Sequence, residues 1–144
     1  MATLRDLNAC FIRREVRVEP YRRVRAEVYA ARPLGPFEEG DIEEVVGDVV
    51  YLQTVDSLTE ADGLFYLCPK CFAANGGPIG THSVLNWFVG HVADDVDPKP
   101  GRWVPSGSGI DIITFIGPAA ASVLLTSGCK AHYFVRNGAI EDLT

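Results

Sequence analysis

The chain has 144 residues, 47% apolar and 22% charged, with a formal net charge of −6. That length suits one domain with a real core, and the balance is that of an ordinary globular protein. No apolar run approaches the roughly 20 residues that span a bilayer, and Met1-Ala2-Thr3-Leu4-Arg5-Asp6 lacks the apolar core of a signal peptide, so neither a membrane protein nor export by that route is expected.

The net charge hides an asymmetry. Residues 1–33 carry eight Arg against four acids, for +4, while the rest of the chain carries −10. The Arg are interleaved with Glu and apolar residues rather than blocked together. The charge split therefore reads as complementing the acidic body of the same chain or of a neighbouring copy, and nucleic acid is not the expected partner.

In chain order, Leu4, Leu7 and Phe11 behind a possible N-cap at Thr3 predict an amphipathic helix to about Arg14. Cys10 lies beside that stripe as a buried small residue, not a ligand. Val24 to Ala30 alternates as a half-buried strand. Arg32-Pro33-Leu34-Gly35-Pro36 reads as a connector. These features divide the chain into a basic N-terminal helix and arm over 1–33 and a β-rich zinc-binding domain over 34–144. Glu38 to Glu44 reads as a solvated acidic surface, and Val45 to Leu52 as β structure around a Gly47-Asp48 turn or bulge. Ser57 to Gly63 suggests one capped helical turn closed by glycine.

Leu64 to Leu67 is a strand that delivers Cys68-Pro69-Lys70-Cys71. Phe72 to Pro78 reads as a loop. Thr81 to Val89 alternates, with His82, Val84, Asn86 and Phe88 on one face and Ser83, Leu85, Trp87 and Val89 on the other. Ala93 to Pro105 is an acidic, proline-bearing excursion around Trp103. Ser106-Gly107-Ser108-Gly109 lacks the strand-turn-helix setting of a phosphate-binding loop. Ile110–Ile116 and Ser122–Thr126 are β-rich, the second running into Cys129-Lys130-Ala131-His132. Tyr133 to Ile140 carries Asn137-Gly138, the signal of a type I′ hairpin turn. The expected fold is mainly β (β-rich α+β): a small single domain with an N-terminal helix and a zinc-pinned pair of strand ends.

Two ligand pairs, each gapped by two residues and each following a strand, point to one tetrahedral ion. Cys68, Cys71, Cys129 and His132 make a Cys3His set, the composition of a closed structural zinc site. His82 competes for a place but is left out once four ligands are counted. Four cysteines without an export signal favour metal over disulfides. A zinc deaminase is excluded because no His-x-Glu occurs and Pro69 lies inside the pair rather than before it. A redox C-x-x-C is not supported, since there is no βαβ setting and a second ligand pair is present. His82 and His91 lack an adjacent nucleophile, and no triad order, P-loop or EF-hand appears, so no catalytic residue is assigned. Trp87 and Trp103 belong to the core or an interface.

The segments Asp62 to Phe72, Gly80 to Val84, Gly101-Arg102-Trp103 and Gly128 to Gly138 resemble small uncharacterised proteins encoded by tailed bacteriophages and prophages. The resemblance covers roughly residues 56–144. It implies a phage origin and agrees with the Cys3His reading, but the family carries no activity to transfer. The expected function is a non-enzymatic, zinc-stabilised phage protein acting by protein contact, as a virion or assembly component, with other copies or other phage proteins as partners. Its place would be the virion or the host cytoplasm. The alternative is an accessory factor that inhibits a host nucleic-acid-binding or defence protein, and a zinc hydrolase is a distant third.

Overall fold

A computed structural model describes residues 2–24, 42–99, 101–117, 121–126 and 128–143. The strands are β1 (Cys10–Val24), β2 (Ile42–Val55), β3 (Gly63–Leu67), β4 (Ser83–Trp87), β5 (Val104–Ser106), β6 (Thr114–Ile116), β7 (Val123–Leu124), β8 (His132–Arg136) and β9 (Ala139–Asp142). The α-helix among the described residues is α1 (Pro69–Asn75), and Leu58–Glu60 adds a 3₁₀ turn. The protein is mainly β. Its sheets have the orders β2-β1-β3-β4, β5-β6 and β7-β8-β9. The chain forms two compact units: Met1–Arg13 with Gln53–Thr144, and Arg14–Leu52.

The expected N-terminal helix does not form. Residues 4–8 make a turn, with the Leu7 N–H bonded to the Thr3 and Leu4 carbonyls, and Asn8 at φ 54° ends it. From Cys10 the chain is already a strand, pairing Cys10 with Phe65 and Phe11 with Leu64. The spacing of Leu4, Leu7 and Phe11 marked burial correctly, since all three sit in the main core. One turn followed by a strand reaches that core as well as a helix stripe would. Because each buried aliphatic contributes roughly 1.5–3 kcal/mol, residues 2–13 belong to the core of the unit that carries the cysteines and are no detachable arm.

Three other expectations change. β2 runs without a turn through Gly47-Asp48, and Ile42 to Glu44 lie within it. The segment after Cys71 is helical to Asn75, because Pro69 at the first helical turn and Gly76 in the left-handed conformation (φ 70°) bracket one short helix. The strand expected over Ile110–Ile116 is confined to Thr114–Ile116. The strand predicted from Val24 and the connector at 32–36 fall, beyond Val24 itself, outside the described residues.

The core that positions the cysteines gathers Leu64 and Tyr66 of β3, Val84 of β4, Phe115 of β6, Val123 of β7, and Tyr133 and Val135 of β8. The alternation predicted for β4 holds on both faces. Val84, Asn86 and Phe88 enter this core, while Trp87 packs with Ile12 and Val92 in a second cluster, Leu85 at its edge. The second cluster is backed by a loop that Arg102 ties together, its guanidinium donating to the carbonyls of Val92, Ala93, Val96, Pro98 and Gly101.

The Asn137-Gly138 hairpin forms as predicted, with φ 49° and 71°, the pair of positive values that a type I′ turn requires. Gly138 also lies against the backbone of a neighbouring segment: an added Cβ would stand 2.5 Å from the Asp111 carbonyl oxygen and 2.6 Å from that of Ile110. Gly138→Ala therefore costs more than the roughly 1–2 kcal/mol of a left-handed residue alone. Thermal denaturation should show a larger loss for it than for Gly76→Ala, where an added Cβ meets nothing within 4 Å.

Candidate metal centre

Cys68 ends β3 and caps α1, and the first turn of that helix folds Cys71 back beside it. A two-residue gap closes on itself in a helix because positions i and i+3 share a face. The Cys68 sulfur lies over the backbone N–H groups of Lys70 and Cys71, which favour its thiolate. The third thiol comes from the loop between β7 and β8. There the Leu125 N–H bonds the Ala131 carbonyl at 2.9 Å, and Gly128 and Lys130 take positive φ. Lys70 Nζ holds the Cys129 carbonyl at 2.7 Å, joining this loop to α1.

The fourth member is His82. β3 and β4 pair antiparallel from Gly63↔Trp87 to Leu67↔Ser83, so the next step of the register places Cys68 opposite His82. The Cys68 N–H donates to the His82 carbonyl at 2.8 Å. His82 Nε2 lies 3.5 Å from Cys129 Sγ, and the Cys68 and Cys129 sulfurs are 3.6 Å apart. The ligand atoms of Cys68, Cys71, His82 and Cys129 all lie within 4.8 Å of one another, and this group could hold a metal ion. The cysteines are free, not paired in disulfides.

The structure thus assembles three of the four ligands predicted from sequence and puts His82, not His132, beside them. Cys129-x-x-His132 shares the spacing of Cys68-x-x-Cys71 but not its conformation. After Lys130 the chain straightens into β8, where Ala131, Tyr133 and Val135 point into the core. Strand alternation sends His132 to the other face, and its Nε2 lies 3.3 Å from Ser122 Oγ. The missed signal was the hairpin register: two strands already legible at 64–67 and 81–89, paired directly, set Cys68 across from His82. His91 stands apart, edge-on to Phe88 and 3.6 Å from an Asp62 carboxylate oxygen.

The electrostatics of the four groups are uneven. Burial pushes the Cys68 thiol up to about 12, against the pull of its two backbone N–H donors. Burial raises Cys71 as well. For Cys129 burial acts in the same direction, but the bond from His82, the N–H of Ala131 and the neighbouring thiols outweigh it and bring the group down to about 7. The same bond to Cys129 raises His82. The bond between His82 and Cys129 thus favours the charged form of each. A dication bound here would supply the charge that lets Cys68 and Cys71 ionise too.

Beneath the cluster lies a buried polar chain. The Tyr66 hydroxyl donates to Asn86 Oδ1, and the Tyr133 hydroxyl lies 2.6 Å from it. Since Tyr66 spends its proton on Asn86, Tyr133 is the donor to Tyr66. This chain crosses from β3 and β4, which carry Cys68 and His82, to β8, which follows Cys129.

No helix among the described residues is long and apolar enough to cross a membrane. No family model, curated protein or solved structure matches this chain.

Proposed function

We propose that Cys68, Cys71, His82 and Cys129 hold one zinc ion as a closed structural site in a non-enzymatic protein that works by contact with other proteins, as a virion or assembly component of a tailed phage. The observation that carries the metal reading is the mutual approach of three sulfurs and one imidazole nitrogen from three separate chain segments. Tetrahedral zinc, with Zn–S about 2.3 Å and Zn–N about 2.0 Å, sets neighbouring ligand atoms about 3.5–3.8 Å apart. The Cys129–His82 and Cys129–Cys68 separations of 3.5 and 3.6 Å meet that requirement without rearrangement. Soft thiolates with one imidazole select zinc over hard cations.

Four protein ligands fill a tetrahedron and leave no position for a water nucleophile, which favours a structural role over a hydrolytic one. The phage assignment rests on the resemblance of residues 56–144. Two measurements test the proposal. Elemental analysis of protein purified without chelator should give one zinc per chain, and a metal-free preparation overturns the site. Mass spectrometry of purified virions should find the protein. Its absence there, with abundance in infected-cell extract, moves it to the accessory role.

A further inference from the structure

β4 and β7 are each the last strand of their sheet, and both line one trough of about 850 Å³. Hydrogen-bond parity shows which backbone groups face it. In the β3–β4 ladder the Cys68 N–H bonds His82 and the Phe88 N–H bonds Asp62, so residues 82, 84, 86 and 88 turn their polar groups toward β3. Ser83, Leu85 and Trp87 therefore turn theirs outward. In the β7–β8 ladder the Leu125 N–H bonds Ala131, which turns Leu124 outward from the opposite wall.

Trp103 shows what this edge accepts. It forms a single parallel bridge beside Phe88, donating its N–H to the Trp87 carbonyl at 3.0 Å and accepting the Val89 N–H at 2.9 Å. Its indole N–H then crosses to the Ser122 carbonyl, just before β7, at 3.1 Å. Trp103 so closes one end of the trough. The other end is the metal cluster, where His82 meets Cys129. Between these two closures, the Leu85 and Leu124 main-chain groups have no hydrogen bond among the described residues, and the walls carry Leu85, Leu124 and Leu125.

We infer that this trough receives one extended peptide segment of another protein, which adds as a strand between β4 and β7. The outward N–H and C=O groups of Ser83 and Leu85 on one edge and of Leu124 on the facing one match the alternate main-chain groups of another extended chain. The apolar walls ask that chain for apolar side chains at alternate positions. The five residues of β4 correspond to a run of about 16 Å, so the bound core is four to six residues long. Lys99 at the rim favours an acidic residue beside that core. This deepens the contact reading above by giving the contact a place. Its test is independent of virion incorporation, so the two can fail separately.

The test is selection of displayed random dodecapeptides on the zinc-loaded protein, followed by affinity measurement with synthetic copies. Selected sequences should show a period-two apolar core. Leu124→Pro removes an N–H that faces the trough and not the β8 ladder, so the sheet tolerates it, and it should weaken binding by about tenfold, the upper end for one net hydrogen bond. Leu85→Pro should do the same from the other wall. As a control that leaves the protein untouched, peptides N-methylated at alternate residues should lose binding in both phases, because successive residues of an inserted strand donate in turn to β4 and to β7. No selected peptide, sequences without the alternation, or affinity indifferent to N-methylation in either phase would each overturn the inference.

Discussion

If the four atoms hold zinc as proposed, His82→Ala should abolish stoichiometric zinc binding, whereas His132→Ala should leave it intact. The contrast is large because it separates a ligand from a residue on the opposite face of a strand. Altering partners that merely orient a ligand costs 10- to 100-fold in affinity, and removing the ligand itself costs more. Metal binding at a structural site is also folding free energy, on the order of 10 kcal/mol in small zinc domains. Cys68→Ser and Cys129→Ser should accordingly lower the melting temperature far more than Cys10→Ser, whose thiol lies outside the cluster. Zinc titration and thermal denaturation of the five variants decide the matter. Equal shifts for His82→Ala and His132→Ala would mean that the ion is not held where these four atoms meet.

The second large effect lies under the metal. Tyr66→Phe strips the middle member from the buried chain and leaves Asn86 Oδ1 and the Tyr133 hydroxyl without that partner; both residues are at most 1% exposed. A buried polar group deprived of its partner costs about 1–3 kcal/mol, so roughly 2–6 kcal/mol is at stake. Tyr133→Phe removes a terminal donor and leaves the Tyr66–Asn86 bond standing, so its cost should be the smaller. Restoring apolar symmetry with Phe at both positions should cost less than the sum of the single changes, since one orphaned hydroxyl is then gone. Chemical denaturation of the two single variants and the double variant gives the cycle. A Tyr133→Phe loss equal to that of Tyr66→Phe would show that the three groups do not act as a chain.

The same chain limits what the metal alone has to do. Because Tyr66, Asn86 and Tyr133 connect the strands that adjoin Cys68 and His82 to the strand after Cys129, the three segments of the cluster are held near one another by buried hydrogen bonds whether or not an ion is bound. Lys70 adds a direct tie between α1 and the Cys129 loop. An ion bound there would join segments already close together and would supply the charge that lets thiols kept protonated by burial ionise.

Local pattern in the sequence determined the β character, the two faces of β4, the Asn137-Gly138 turn and the three cysteines of the cluster. Each of these is set by alternation, turn chemistry or short-range spacing, all readable along a few residues. Tertiary structure decided what such patterns leave open. The spacing of Leu4, Leu7 and Phe11 fits a helix stripe and a turn running into a strand equally well, and pairing of β1 with β3 selected the strand. Cys-x-x-Cys and Cys-x-x-His look alike on paper, yet one is bent by α1 and the other straightened by β8. The choice of His82 over His132 belongs to strand register: the pairing of Leu67 with Ser83 brings Cys68 and His82, 14 positions apart, face to face, a contact that no window shorter than the whole hairpin contains.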